Sequence, residues 1–459
     1  MFSRGERIHF VGIGGIGTSA IAQLLQGRGC LISGSDLKAT ALTEKLHKMG
    51  MRISLDHRAE AVNGADLVIY TTALKRDNPE LAAARAQGIP SLSRSEALAI
   101  LANEKKSIAV SGAHGKTTTT CLIAHLLVDA RFSPTVCAGG ELFGLNGNAL
   151  SGEGSYFVLE ADESDGSFLS LRPDYAVLTN IDREHLDYYR SLKEIEKAFA
   201  GFVNNSKDQG RVIFCADDQR LAKIVVRSGR QGLGYGFSKT ADIFASGIEL
   251  ADGLSRFDSF YQGRFLGQIE LMVPGRHNIS NALAAVALGL ELGIDFKTIQ
   301  RSLSTFNGVR RRLELKSRQK QILIFDDYAH HPTEIRASLA ALRNLKPKRI
   351  LAVFQPHRYS RTKFLINDFA DCFSDADQLV ITDIYAASEA PIPGVSAKKL
   401  CQRIRQLNGP EVEYLPKEKI LAYLLERLRS GDLVAVLGAG DIGDLSDALV
   451  KELQNPGPF

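Results

Sequence analysis

A chain of 459 residues is long for one hydrophobic core and, at roughly 150 residues per domain, suggests about three domains. Its 44% apolar and 24% charged residues exclude a disordered chain. A net charge of +4, with no basic run denser than Arg310-Arg311-Arg312, gives no footprint for nucleic acid. Cys30, Cys121, Cys137, Cys215, Cys372 and Cys401 are scattered and never form a C-x-x-C pair, which argues against a disulfide framework or a zinc site and fits a reducing cytosol. The first residues enter a strand directly, with no signal-peptide pattern. The longest soft apolar stretch, 282–290, is far short of the ~20 residues that span a bilayer. The expectation is a soluble cytoplasmic protein.

Short apolar runs alternate with helical patterns almost from end to end, the mark of βαβ units and parallel sheets. Strands are predicted at 8–11, 30–32 and 67–70. The first runs into Gly12-Ile13-Gly14-Gly15-Ile16-Gly17 and a helix over 18–26. Glycines in that setting let the backbone approach a pyrophosphate, which then sits on a helix N-terminus. Asp36 ends the next strand, where an acid often meets a ribose hydroxyl. The pattern licenses a dinucleotide or a nucleoside diphosphate, or simply a turn that packs helix on strand.

A polar stretch at 102–106 marks a boundary before a fresh strand at 108–110. Then comes the sharpest signal in the chain, Ser111-Gly112-Ala113-His114-Gly115-Lys116-Thr117-Thr118-Thr119-Thr120, followed by a helix over 121–128. The backbone of Gly112, Ala113, His114, Gly115 and Thr118 is expected to cradle the phosphates of ATP. Lys116 would reach the transferred phosphoryl, and Thr117 would ligate Mg²⁺. Val110 stands where the general pattern wants glycine, so the loop is a shortened variant. A strand at 156–159 leads into the acids Glu160, Asp162, Glu163 and Asp165. Another at 175–178 leads into Thr179-Asn180-Ile181-Asp182-Arg183-Glu184-His185. Mg²⁺ prefers hard oxygen ligands, and ligands of open parallel sheets bind at the carboxyl ends of strands, so Glu160 and His185 are expected to converge on the phosphate loop as metal ligands.

A strand at 211–214, antiparallel hairpins between 243 and 273, and a long helix over 281–292 complete this region. A third doubly wound unit follows, with strands at 322–325, 350–353, 379–381 and 433–436. The expected fold is therefore α/β in three domains: a Rossmann-like domain over 1–104, a central P-loop ATPase-like parallel sheet with an antiparallel extension over 105–313, and a Rossmann-like domain over 314–459.

Together these pieces resemble the Mur ligases, and the resemblance runs across the whole chain. It is carried by the opening Ile8-His9-Phe10-Val11-Gly12-Ile13-Gly14-Gly15-Ile16-Gly17, the phosphate loop, Leu159-Glu160-Ala161-Asp162-Glu163-Ser164-Asp165, Pro274-Gly275-Arg276-His277-Asn278, Asp326-Asp327-Tyr328-Ala329-His330-His331-Pro332 and Gln355-Pro356-His357-Arg358-Tyr359-Ser360-Arg361-Thr362. Departures are Thr18 for a usual Met, Ala113 for a frequent Thr, Leu313 for a usual Phe and Ser388 for a usual Gly. The resemblance implies an ATP- and Mg²⁺-dependent ligase that joins L-alanine to the lactyl carboxylate of UDP-N-acetylmuramate through an acyl phosphate, in peptidoglycan precursor synthesis. It implies that Gly12, Gly14, Gly15, Gly17 and Asp36 hold the UDP-sugar, and that Asn278, Arg312 and Asp327 lie by the nucleotide. Tyr328, His330, Arg358 and Arg361 would hold the amino acid. Catalysis would fall to Lys116, Glu160 and His330, the last as acceptor of the amine proton. His330-His331-Pro332 reads equally as the cap of a helix. Tyr328 and His330 follow the run at 322–325, expected beside the strand at 350–353 that carries Arg358 and Arg361. No nucleic acid or membrane partner is expected, and a monomer or weak homodimer is.

Three other readings compete. The first glycine loop with Asp36 alone would suit an NAD-dependent oxidoreductase, but this leaves the phosphate loop unexplained. A non-catalytic nucleotide-binding subunit would not need Glu160 and His185. The ligase that recycles a tripeptide onto the same sugar shares the phosphate loop but differs in the first loop.

Overall fold

The computed structural model describes residues 2–71, 74, 77–142, 147–186, 188–251, 253–387, 389–407 and 409–454. Ser388, one of the departures noted above, lies outside them. The chain is a three-domain α/β protein whose sheets are parallel at the N-terminus and mixed beyond it. By internal contact its residues gather into two compact units. One comprises Met1–Asp182, Lys193–Tyr235 and Ala284–Ile299; the other comprises Arg183–Leu192, Gly236–Leu283 and Gln300–Phe459.

The first unit opens with parallel strands β1 (Arg7–Val11), β2 (Leu31–Ser35), β3 (Arg52–Ser54), β4 (Leu67–Tyr70) and β5 (Ser91–Ser93), in the order β3-β2-β1-β4-β5. Helices α1 (Ile16–Gly27), α2 (Ala41–Lys48), α3 (Pro79–Ala86) and α4 (Arg94–Asn103) connect them. Their starts are written locally. Thr40 and Ser93 each close a capping box with the residue three ahead, and Asn78 caps α3 with Pro79 at its first position. The predicted strand at 30–32 forms one residue later and runs on through Ser35.

The next strands are β6 (Lys106–Ser111), β7 (Thr135–Leu142), β8 (Gly147–Leu150), β9 (Tyr156–Glu160), β10 (Tyr175–Leu178), β11 (Arg211–Cys215) and β12 (Gly232–Gly236). Their order is β12-β11-β10-β6-β9-β7-β8, parallel except for β8 against β7. Because β9 and β10 flank β6, the loops after all three stand side by side. Helix α5 (Lys116–Asp129) starts five residues earlier than the pattern at 121–128 suggests. The four threonines that begin it are poor helix formers, yet all are buried, so packing overrides propensity. Helices α6 (Leu192–Asn205) and α7 (Gln219–Ser228) complete this stretch.

In the second unit, β13 (Ile243–Ala251), β14 (Leu254–Tyr261) and β15 (Arg264–Leu271) form the expected antiparallel hairpins. Helix α8 (Arg276–Glu291) begins in this unit and ends in the first, α9 (Phe296–Ser304) does the reverse, and a further sheet of the second unit follows. Its strands are β16 (Glu314–Gln319), β17 (Ile322–Asp327), β18 (Arg349–Phe354), β19 (Gln378–Ile381), β20 (Glu411–Tyr414) and β21 (Asp432–Leu437). They run in the order β16-β17-β21-β18-β19-β20, with only β16 antiparallel. Strands β17 and β18 are thus not neighbours, as the sequence suggested; β21 stands between them. Along β18 the period of two is exact in its effect: Ile350, Ala352 and Phe354 pack in one core, and Leu351 and Val353 in the other. The first core is closed by α10 (Pro332–Arg343), α12 (Ile366–Ala370) and α13 (Ala397–Gln406), with the short α11 (Tyr359–Phe364) preceding α12. The second is closed by α14 (Lys417–Arg427) and α15 (Gly443–Gln454).

The N-terminal sheet carries a buried carboxylate. Glu80 on α3 accepts from Ser35 Oγ (2.6 Å) and lies 3.3 Å from His57 Nδ1 and 3.7 Å from His9 Nε2. Burial opposes its charge, but His9, Ser35 and His57 outweigh that and hold the carboxyl below its ordinary value. Glu80→Ala is expected to cost about 3 kcal/mol, since removing one member of a buried pair strands the others. A depressed native value means that this stability is full at neutral pH and is lost as pH falls through the carboxylate range. Thermal unfolding of wild type and variant across that range should show the two midpoints converging at acid pH.

Candidate functional site

In the first glycine loop, Gly12 N and Ile13 N donate to Ser35 O, and Gly14 N donates to Asp36 Oδ2 (2.8 Å). Asp36 therefore holds the loop itself. A Cβ on Gly14 would stand 2.7 Å from that carboxylate oxygen, so the close fit forbids any side chain there.

The phosphate loop is built by its neighbours. Gly112 has φ +143°, and a Cβ on it would strike Thr179 Oγ1, so glycine is required twice over. Ala113 N donates to Asn180 O (3.0 Å), and His114 N donates to Asn180 Oδ1 (2.9 Å). Asn180 Nδ2 and Thr179 Oγ1 both donate to His114 O (3.0 and 2.6 Å). The His114 ring lies 2.9 Å from Asp182 Oδ2. The residues after β10 thus scaffold the loop, a role their sequence did not disclose.

Lys116, at the first position of α5, donates to Gly112 O (2.7 Å) and to Glu163 Oε1 (2.8 Å). Burial works against its charge, but Glu163, Asp162 and Glu160 prevail and raise its pKa above the ordinary value. Thr117 is buried in the first turn of the helix. Glu160 Oε2 accepts from Gly139 N (3.0 Å) on β7. A shallow cleft is lined by Arg94, Ser95, Leu98, Glu160, Asp162 and Ser167 among others, and Arg94 lies 3.6 Å from Asp162. Gly112–Thr118 and Glu160 are therefore brought together; Glu163, noted in the acid run, proves to be the direct partner of Lys116, and Arg94 is a member the sequence reading had missed.

The remaining candidates lie in the second unit. Asn278 is buried near the start of α8, donating to Pro274 O (2.8 Å) and accepting from Asn281 (3.3 Å). Asp327 accepts from Ser338 Oγ (2.5 Å) and Ala329 N (3.1 Å); burial lifts its pKa to about 6. The Arg312 guanidinium stands 4.9 Å from the centre of the Tyr328 ring.

The His-His-Pro segment divides its work. His331 is the cap of α10, accepting from Thr333 N, with Pro332 at the first position and Glu334 closing the box. His330 packs edge-on to Tyr328 (5.4 Å) and His357 (5.7 Å), and His357 stacks on Tyr385 (5.6 Å). His330 Nδ1 lies 2.9 Å from Tyr328 O; a carbonyl only accepts, so Nδ1 carries the proton and Nε2 the lone pair. Burial, then Arg361, depress its pKa to about 4.

Arg358, Arg361 and His185 line one shallow cleft with Glu184, Leu186, Ser360 and Phe364. Arg358 has φ +69° and His185 φ +52°, backbone conformations that side chains rarely adopt and that gather at functional sites. Arg361 donates through Nε to Glu184 Oε1 (3.0 Å) and through Nη1 to His357 Nδ1 (2.9 Å). Glu184 is buried, which disfavours its charge, but Arg361 and the nearby histidines hold its pKa far below the ordinary value. Nothing in the sequence singled out Glu184 beyond its place before His185.

The chemistry available is phosphate binding on a glycine-containing helix N-terminus beside carboxylates, and carboxylate binding by paired arginines. Asn180→Ala removes two of the hydrogen bonds that hold His114 and is expected to weaken nucleoside triphosphate binding about tenfold, with the fold retained. Calorimetric titration with ATP, alongside a thermal melt, checks this.

The profile of the Mur ligase middle domain matches residues 110–289, that of the Mur ligase family catalytic domain matches 7–106, and that of the Mur ligase glutamate ligase domain matches 311–440. A UDP-N-acetylmuramate–L-alanine ligase from Trichlorobacter lovleyi is 46% identical over 456 residues, 99% of this chain and 100% of that one. The crystal structure of a UDP-N-acetylmuramate-alanine ligase from Thermotoga maritima superposes with a TM-score of 0.85 at 32% identity, covering 98% of this chain and 99% of that one. A murein peptide ligase from Psychrobacter arcticus shares the fold (TM-score 0.73, 24% identity, 99% and 100% coverage). The chain belongs to the Mur ligase family.

Proposed function

We infer that the chain is an ATP-dependent ligase that joins L-alanine to the lactyl carboxylate of UDP-N-acetylmuramate in peptidoglycan precursor synthesis. The observation that carries this is full-length identity of 46% to a relative with that name, joined to a phosphate loop whose lysine is ringed by carboxylates. The 24% identity to the murein peptide ligase supports the common fold and gives the tripeptide-recycling reading no advantage.

The division of labour proposed is 1–104 for the UDP-sugar, 105–313 for ATP and 314–459 for the amino acid. In the first part, Gly12, Gly14, Gly15 and Gly17 would take the pyrophosphate, with Asp36 tying the loop in place. A carboxylate is a poor electrophile, so the γ-phosphoryl is moved onto it first. The Lys116 ammonium, kept charged by its neighbours, is placed to offset charge on that phosphoryl as it passes. The Thr117 hydroxyl and the Glu160 carboxylate are hard oxygen donors that suit Mg²⁺. The excess of Glu160, Asp162 and Glu163 over Lys116 favours a cation there. Mg²⁺, when bound, supplies further positive charge on the phosphoryl oxygens.

The amine of alanine then attacks the acyl carbon, and phosphate leaves. Arg358 and Arg361 would grip the amino acid's carboxylate, and Tyr328 would wall the pocket. His330, neutral near pH 7, is the proposed acceptor of the amine's proton through Nε2; burial makes it a weak base, so the proton passes as the N–C bond forms and the nitrogen turns acidic. No helix among the described residues is long and apolar enough to cross a membrane. A cytoplasmic monomer or weak dimer acting on these small molecules alone is the arrangement proposed.

Incubation with ATP, Mg²⁺ and UDP-N-acetylmuramate, with the amino acid varied and the product weighed by mass spectrometry, tests the assignment. A product larger by one alanine residue is expected; ligation of the tripeptide in preference to alanine would overturn it. Lys116→Ala is expected to abolish product formation and, because it strands the buried Glu163 carboxylate, to lower the thermal midpoint without preventing folding. Near-wild-type turnover would mean that the phosphate loop has another role.

A further inference from the structure

The Arg361 side chain is held on two of its three nitrogens. Nε donates to Glu184, Nη1 donates to the ring and the carbonyl of His357, and Nη2 makes no hydrogen bond to the described residues. Both partners of the Arg361–Glu184 pair are almost fully withdrawn from water, with side-chain exposures of 9% and 6%. A long arginine side chain gives up rotamer freedom when fixed, so a ligand arriving at an unfixed arginine would bear that cost itself. We propose that Glu184 is a positioning residue for the amino-acid pocket: with His357 it fixes the plane of the Arg361 guanidinium, leaving the Nη2 edge to receive the carboxylate of the incoming amino acid. This assignment rests on the pocket proposed above.

Three features of the cleft agree with that role. Arg361, Arg358 and Glu184 line it together, so the pair faces the space a small ligand would occupy. Leu186, Phe364 and Leu365 supply an apolar wall, which suits a small aliphatic side chain and reduces screening of the ion pair. Arg358 itself is held in its unusual backbone conformation by donation from its N–H to Tyr385 O (2.8 Å), so the main chain that carries the second arginine is also fixed. The opposite relation, in which Glu184 competes with the substrate carboxylate for Arg361, predicts effects of the opposite sign.

The experiment is steady-state kinetics on the full chain with ATP, UDP-N-acetylmuramate and L-alanine varied in turn, for Glu184→Ala, Glu184→Gln, Arg361→Lys and the Glu184→Ala/Arg361→Lys double variant. Glu184→Ala is expected to raise the KM for alanine about tenfold, with kcat within about twofold and the other two KM values unchanged. Glu184→Gln, which keeps the shape and an acceptor oxygen, should fall between it and wild type, and serves in its place if the alanine variant fails to fold. Because Glu184 acts through Arg361, the double variant should be no worse than Arg361→Lys alone. A lower KM for alanine in Glu184→Ala, additive losses in the double variant, or a loss of kcat with the KM for alanine unchanged would each overturn the proposal; a lower thermal midpoint is expected of any variant that breaks this buried pair. If Arg361→Lys raises the KM for alanine but Glu184→Ala does not, the pocket stands and the positioning role is wrong. If Arg361→Lys instead raises only the KM for ATP, the pocket falls and the positioning role with it.

Discussion

Lys116 is mostly withdrawn from water, and an ammonium in that position stays charged only because carboxylates surround it. Glu163 makes the direct contact at 2.8 Å, and Asp162 and Glu160 add their fields. Taking one such charge out of water unpaired would cost several kcal/mol, so the lysine and its acids have to be buried as a set. That requirement shapes the first unit. The acids must follow one strand, the lysine must open the helix after another, and the two strands must be adjacent and parallel. Strands β6 and β9 meet all three conditions, with β6 buried between β9 and β10.

The same constraint explains why the phosphate loop needs so much help from β10. A loop that holds Gly112 at φ +143° against Thr179 has no slack, and Thr179 and Asn180 supply the hydrogen bonds that its own short backbone cannot make. On the proposed function, phosphates arriving at the loop compete with Glu163 for the lysine. The second unit repeats the idea with the signs exchanged: Glu184 and His357 hold Arg361 as Glu163 holds Lys116.

Much of this was legible in the sequence, because strands, glycine loops and the residues directly after a strand are local features. The runs at 67–70 and 175–178 form strands with the same bounds, and the hairpins after 243 are where the alternation of Phe257, Phe260 and Phe265 puts them. Short strands with little apolar content, such as β3 (Arg-Ile-Ser) and β20 (Glu-Val-Glu-Tyr), gave no signal, since pairing with a neighbour rather than composition makes them strands. Strand order was also invisible: β21, last in sequence, inserts between β17 and β18. The partners of the site residues, Glu163, Asn180 and Glu184, were all within quoted motifs, but which acid or amide meets which base depends on tertiary placement. The two histidines before Pro332 were ambiguous between cap and site because one residue of register decides it; His331 takes the cap and leaves His330 among the aromatic rings.

The central claim is that the charge gathered around Lys116 moves a phosphoryl group onto the carboxylate of the UDP-sugar before the amino acid attacks. Isotope transfer tests it most directly. With both oxygens of the lactyl carboxylate labelled as oxygen-18, an acyl-phosphate route leaves one label in the new amide and delivers the other to inorganic phosphate, which mass spectrometry of the released phosphate would detect. Unlabelled phosphate accompanying a correctly formed product would contradict the account.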